Sequence, residues 1–280
     1  MLKGKKFLEK KATQIRLDLL KMIFEANTGH TGGSLSSTDI MTVLHYSIMK
    51  IDPSNPDWEE RDRFVLSKGH SVESYYCILA DMGFFPKEDL KTFCQFGSKL
   101  TGHPNNKIPG IEMNTGSLGH GLPVAVGMAL TAKIDKKSWR TFVLMGDGEL
   151  AEGTVWEGAM AASNYNLDNL IAIIDRNRLQ MSGDTEDVMK LEPLKKKWED
   201  FGWEVIEVDG NDVEQLEKAL SSAPAVKNKP TLFMAYTTKG KGVSYMENEA
   251  GWHHKVPTDE QMKQAVKELS GKNPGEDRNG

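Results

Sequence analysis

Apolar residues recur along this chain in two rhythms, and the alternation between them predicts an architecture. Short apolar runs at Arg63 to Leu66, Thr141 to Met145, Leu170 to Ile174, Trp203 to Val208 and Thr231 to Tyr236 read as strands. Segments of helical spacing or composition separate them. The first, Phe7 to Glu25, sets Ile15, Leu19, Met22 and Ile23 on one face. Further helices are predicted over Ser37 to Met49, Ser71 to Met82, Lys87 to Phe96, near Gly119 to Ile134, Ala151 to Tyr165, Leu194 to Phe201 and Asp212 to Leu220. The small-residue stretch Thr28 to Ser34, the Pro-rich stretch Asp52 to Pro56 and the long polar stretch Gly97 to Ser117 read as loops. Strands alternating with helices imply an α/β fold, a doubly wound parallel sheet with helices on both faces. No repeat or linker interrupts the pattern. Residues 1–280 are therefore expected to form a single domain, with an N-terminal helix over about 1–25 and a frayed tail over about 270–280.

One unit within this pattern carries chemistry. The strand from Thr141 ends in Gly146-Asp147-Gly148, the strand from Leu170 closes on Asn177, and an Ala-rich crossover helix joins them. In open parallel sheets, ligands bind outside the carboxyl ends of the strands. A carboxylate and an amide oxygen at two such ends suit magnesium, which takes few protein ligands and completes its shell with water and phosphate oxygens. Gly146 and Gly148 let the backbone come close to a diphosphate. Gly-Asp-Gly alone also makes an ordinary strand-to-helix turn; Asn177 at the next strand end favours the cofactor site. There is no G-x-x-x-x-G-K-[ST] loop, and the glycines do not fit G-x-G-x-x-G.

Histidine placement is a second signal. Of seven histidines, His45 alone sits inside an apolar helical run, as a packing residue would. The others, His30, His70, His103, His120, His253 and His254, lie in small, polar or turn segments, where sites are built. No H-E-x-x-H spacing or cysteine pair supports zinc. Imidazoles can instead hydrogen-bond sugar hydroxyls and move protons near neutral pH. A third element, Asn114 to Gly121, is a glycine-rich turn opening a helix, with Pro123 in the first turn. Unpaired N–H groups and the positive dipole end attract phosphate there, although such a turn also serves simple packing.

Composition narrows the classes. The formal charge of −5 argues against a nucleic-acid partner. No apolar run approaches the roughly 20 residues of a membrane helix. Two isolated cysteines, Cys77 and Cys94, fit a reducing cytoplasm. The lysine-rich N-terminus lacks a signal peptide's apolar core, and Glu9, Asp18 and Glu25 sit poorly with a transit peptide.

Taken in order, ANTGHTGGSLS, RDRFVLSKGHS, LTGHP, NTGSLGHGL, GDGELAEG, DRNRLQMSG and GWHHK resemble the N-terminal, diphosphate-binding domain of transketolase over about residues 12–262. The resemblance implies a thiamine diphosphate-binding fold, with magnesium held by Asp147, Asn177 and the Leu179 carbonyl. It implies contacts to thiamine diphosphate from His70, Gly116, Ser117, Leu118, Gly148, Asn177 and Lys239. His30, His103 and His253 match substrate-side histidines that bind ketose hydroxyls and assist proton transfer. Glu152 matches a carboxylate that links two active sites across the family's dimer interface. His120 stands where the family commonly has glutamine, and His253 is chosen over His254 by matching WHHK to the family's WHGK.

Transketolase has three domains, and only the first is matched. The middle domain supplies the glutamate that activates the cofactor's aminopyrimidine ring. The chain is therefore either a natural subunit of a split transketolase or a fragment, and the split enzyme is the expectation: this chain forms the N-terminal part, its partner is a C-terminal transketolase subunit, and two copies of each assemble. Together they would move a two-carbon ketol unit from a ketose phosphate to an aldose phosphate, in the cytoplasm, as in the pentose phosphate pathway. The alternatives are a subunit of a deoxyxylulose phosphate synthase or 2-oxo-acid dehydrogenase, or a non-catalytic cofactor-binding subunit. The substrate-side histidines speak for a sugar donor.

Overall fold

The computed structural model describes residues 2–271. Five parallel strands form one sheet: β1 (Arg63–Leu66), β2 (Thr141–Gly146), β3 (Leu170–Arg176), β4 (Glu204–Asp209) and β5 (Thr231–Tyr236), in the order β1-β2-β3-β5-β4. All are where the apolar runs predict them, within a residue or two. The central strand β3 is buried along its whole length. The edge strand β4 turns Glu207 and Asp209 to solvent, and charge on an edge discourages pairing with another chain.

Helices cover both faces, as expected for a doubly wound sheet. On one side Phe64, Leu66, Phe142, Leu144, Ile171 and Ile173 pack under α1 (Lys5–Ala26), α2 (Thr31–Val43), α3 (Val72–Met82), α8 (Val213–Ser221) and α9 (Asp259–Ser270). On the other, Val65, Val143, Met145, Ala172, Ile174 and Leu232 pack under α4 (Gly121–Ile134), α5 (Gly153–Asn164) and α7 (Leu194–Asp200). A short α6 (Thr185–Val188) lies in the loop after β3. Alternate residues of each strand serve opposite cores, the period-two rule of strands.

Three expectations need correction. Thr28 to Ser34 is not all loop: α2 begins at Thr31, and the segment predicted to run to Met49 ends at Val43, followed by a wider turn of helix over Leu44–Ile48. Lys87 to Phe96 is a tight 3-10 helix over Lys87–Thr92 only, and Cys94 has a left-handed φ of 56°. Helix α9 was not foreseen; a reciprocal cap between Thr258 and Gln261 starts it. The frayed-tail expectation falls almost wholly on residues 272–280, outside the described residues.

The register aligns the site. Gly146 pairs with Asp175, and Asp175 with Ala235. The segments leaving β1, β2, β3 and β5, which carry Lys68, Asp147, Asn177 and Lys239, therefore emerge along one edge.

Candidate active site at the carboxyl edge of the sheet

Asp147 follows β2 and is buried. One carboxylate oxygen accepts the Gly148 N–H at 2.8 Å; the other accepts the Arg178 N–H at 2.5 Å and the Arg176 guanidinium at 3.2 Å. Burial, then the charge of Asp175, pushes the Asp147 carboxyl above its usual range. Asn177 donates its amide to Ser36 Oγ and Asp175, both at 3.3 Å, which turns its oxygen to the Leu179 N–H at 3.1 Å. The Leu179 carbonyl accepts from Lys239 Nζ at 3.1 Å. Among the described residues no group of three His, Cys, Asp or Glu side chains forms a metal site. A carboxylate, an amide oxygen and a carbonyl are instead the hard oxygen donors magnesium takes. A buried carboxylate disfavoured by its own burial gains from a cation beside it. The residues present fit the ion.

Beside these donors lies a network that the sequence reading missed. Lys68 Nζ pairs with Asp175, and both are fully buried. Asp175 also accepts from Ser36 and Thr237, so it fixes the orientation of Asn177. Arg176 ties Asp147 to Thr185, Glu186 and Glu192. Glu149 binds three segments at once: it accepts from the Ser67 hydroxyl, the Gly119 N–H at 2.8 Å and the Gly146 N–H at 3.1 Å. The available signal was charge set within or just after apolar strands, as in LSK and IIDR, because such residues are rarely buried unless paired.

Gly116, Ser117 and Leu118 sit on the loop before α4 and are partly or fully open to solvent. That loop runs against the end of β1: a Cβ at Gly121 would lie 2.2 Å from Ser67 Oγ. Gly148 lies beside Gln180, where an added Cβ would meet the Gln180 side chain at 3.4 Å. Glu152 is exposed at the N-cap of α5.

Five histidines meet. The His30 ring lies 5.4 Å from His70, 6.1 Å from His103, 5.7 Å from His253 and 4.6 Å from His254, centroid to centroid. His70 and His253 stack at 5.1 Å. Lys239 Nζ lies 3.1 Å from His253 Nδ1 and so joins the cluster to the Leu179 carbonyl. Burial is the main force on four of these rings: it lowers His30 to about 4 and His253 to about 3, holds His70 well below the normal imidazole range, and lowers His103. The electrostatic influence of neighbouring groups, His254 first for His30 and Lys239 first for His253, adds to the effect. Lys239 itself falls to about 8, through burial and then Lys68. At neutral pH the four rings are uncharged and can accept or donate a hydrogen bond.

The other two histidines stand apart. His45 is packed between Phe64 and Tyr75, with Nδ1 2.8 Å from the Met41 carbonyl. His120 is exposed at the start of α4. The edge thus brings together His30, His70, His103 and His253 as well as Asp147, Asn177, Leu179 and Lys239, with His254 added.

Fold and site define an open parallel α/β sheet with an oxygen donor set and an imidazole cluster at its carboxyl edge. The profile described as "Transketolase, thiamine diphosphate binding domain" matches residues 8–278, and the chain belongs to this family. It is 51% identical over 263 residues to one of the subunits of the apulose-4-phosphate transketolase of Phocaeicola vulgatus, covering 94% of each chain. It is 43% identical to a 6-deoxy-6-sulfo-D-fructose transketolase subunit of a Clostridium species, covering 94% of this chain and 96% of that one. The transketolase of Campylobacter jejuni superposes with a TM-score of 0.90 at 35% identity; the match covers 95% of this chain and 43% of that one. The chain is thus as long as the named subunits and spans less than half of the undivided enzyme. Among the described residues, no helix is long and apolar enough to cross a membrane.

Proposed function

We propose that this chain is the diphosphate-binding subunit of a two-chain transketolase that transfers a two-carbon ketol unit between sugars bearing a terminal anionic group. The observation that carries the proposal is the convergence of the uncharged imidazoles with the oxygen set of Asp147, Asn177 and Leu179 on one sheet edge. Magnesium would be held by those three oxygens. Gly116, Ser117, Leu118, Gly148, His70, Asn177 and Lys239 would hold thiamine diphosphate, whose thiazolium supplies the carbanion-stabilising chemistry. His30, His103 and His253 bind the sugar's hydroxyls. Being neutral at pH 7, they can also take a proton from a hydroxyl and return it. A 2-oxo-acid donor has few hydroxyls and would leave most of this cluster unused.

A partner chain is part of the proposal. The first twelve residues of α4, Gly121 to Ala132, include no charged side chain, yet Val124 and Gly127 are exposed, with Met160 of α5 exposed nearby. A helix apolar all round belongs in an interior. The α4–α5 face is therefore proposed to be covered in an assembly with two copies of this chain and two of a C-terminal subunit, with Glu152 at the contact between copies. That partner would cover the cofactor's aminopyrimidine ring and provide the carboxylate that activates it. Purified chain, with magnesium and thiamine diphosphate, should show no ketol transfer from xylulose 5-phosphate to ribose 5-phosphate. Activity should appear with a chain carrying the remaining transketolase domains. Transfer by this chain alone, or none by the stable complex of the two with any sugar donor bearing a terminal phosphate or sulfonate, would overturn the proposal.

A further inference from the structure

Glu73 stands on the first turn of α3, just after His70, and is completely buried. It belongs neither to the oxygen set nor to the ring cluster. It faces the start of α2 instead, where Oε1 accepts the His30 backbone N–H at 2.7 Å and Oε2 accepts the Ser34 hydroxyl at 2.6 Å. A helix start leaves N–H groups with no partner inside the helix. Here Thr31 to Ser34 are shut off from water, and the N-cap residue His30 offers no side-chain bond to them. The neighbouring helix supplies the acceptor that α2 lacks.

The placement matters because of what His30 touches. His30 packs against four other imidazoles, whereas His103 and His254 each meet His30 alone among the described rings. A shift of the His30 backbone would therefore change every pair in the cluster but the His70–His253 stack. We infer that Glu73 is the positioning residue of the histidine cluster: it pins the backbone of His30 to the helix that follows His70, and so sets how His30 meets the other rings. The inference rests on the proposed use of this cluster to bind and deprotonate a sugar.

Hydrogen bonding is what does the positioning. A glutamine at this place can accept from the His30 N–H through its oxygen and donate to Ser34 Oγ through its nitrogen. An alanine leaves both polar groups buried without a partner. A carboxylate serving only to stabilise the fold would lower the melting temperature when removed, with the rings of the folded protein unmoved.

The test reads the rings directly. In the isolated chain labelled with 15N-histidine, His30 is assigned by its absence in His30→Asn. Glu73→Ala should move the His30 resonances, leave those of His45 in place, and Glu73→Gln should restore them. In the assembled enzyme, Glu73→Ala should lower kcat/KM for the donor at least about tenfold, with thiamine diphosphate affinity by calorimetry held within about threefold and Glu73→Gln within about threefold of wild type. Unmoved His30 resonances in folded Glu73→Ala, or Glu73→Gln as impaired as Glu73→Ala, would overturn the inference. If Glu73→Ala does not fold, Ser34→Ala removes one of the two bonds and is read the same way: displaced His30 resonances support the inference, unmoved ones refute it. The resonance measurement needs no turnover. A wild-type assembly without ketol transfer would sink the proposed function and leave the role of Glu73 decided on its own.

Discussion

At the scale of single residues, a side chain's neighbours decide its chemistry. Asp147 is a buried carboxylate whose cost is only partly offset by Arg176 and two backbone N–H groups. Asp147→Ala is expected to abolish magnesium-dependent binding of thiamine diphosphate while the fold persists, because the residue follows a strand and is not part of the apolar core. Calorimetry with both ligands checks this, and unchanged affinity would remove Asp147 from the site. His30→Ala and His253→Ala should act differently: kcat/KM of the assembled enzyme falls by more than about tenfold while cofactor affinity holds. A loss of cofactor affinity with normal turnover at saturation would reassign those rings. The sequence made these residues legible because histidines, glycines and Asp147 stand out in loops. Lys68, Glu73, Glu149, Asp175 and Arg176 did not stand out, because a charge in a linear pattern reads as solvent-facing until its partner, remote in sequence, is known. The ring of His254, 4.6 Å from His30, shows the same limit, since sequence order alone could not rank it against His253.

At the scale of elements, buried parallel strands were the easiest to read, because both faces are apolar and the runs are short and continuous. Helix starts were harder. Thr31-Gly32-Gly33-Ser34 has the composition of a loop, yet it is the first turn of α2. The glycine at 32 is there for space: a Cβ would lie 2.8 Å from the Trp252 carbonyl and 3.2 Å from the Lys239 chain. Close packing with the segment carrying His253 thus overrides the low helix propensity of glycine. The same physics at the start of α4 gives a prediction. Gly121→Ala would drive a methyl into Ser67 at the end of β1 and part the glycine loop before α4 from the sheet. We expect a loss of about 1–3 kcal/mol in urea unfolding, the usual range for overpacking, together with weaker thiamine diphosphate binding. Full affinity at full stability would mean that the loop and the strand end are not coupled.

For the whole molecule, acid should be destabilising through its buried imidazoles. His45 is lowered to about 4 by burial, against an unfolded value near 6.5. Between those values the unfolded chain binds a proton that the folded chain does not, so stability rises with pH across the window. His45's contribution is complete above about pH 6.5 and is lost as the pH falls toward 4. Buried carboxyls such as Asp147 and Glu149, pushed upward by burial, act in the opposite sense, so the comparison must be made against a variant. Between pH 7 and pH 5, wild type should lose about 2 kcal/mol more than His45→Leu, each shifted pKa unit being worth about 1.4 kcal/mol. Denaturant titrations at the two pH values check it, and equal losses would show that His45 is not buried neutral.

The Glu149 carboxylate has a consequence for how this edge opens. Its partners come from three stretches of chain: Ser67 beyond β1, Gly119 before α4, and Gly146 at the end of β2. Remove one donor, and a charge shut away from water is left with too few bonds to stay there. The three stretches cannot then loosen one at a time; they let go together or not at all. In native-state hydrogen exchange, the Gly119 and Gly146 amides should therefore report one shared opening free energy and one shared denaturant dependence, although 26 residues lie between them in the chain. Distinct values for the two amides would mean that the glycine loop moves independently of the sheet. A shared value would make the opening of this edge a cooperative event, in which the glycine loop and the ends of two strands yield as one body.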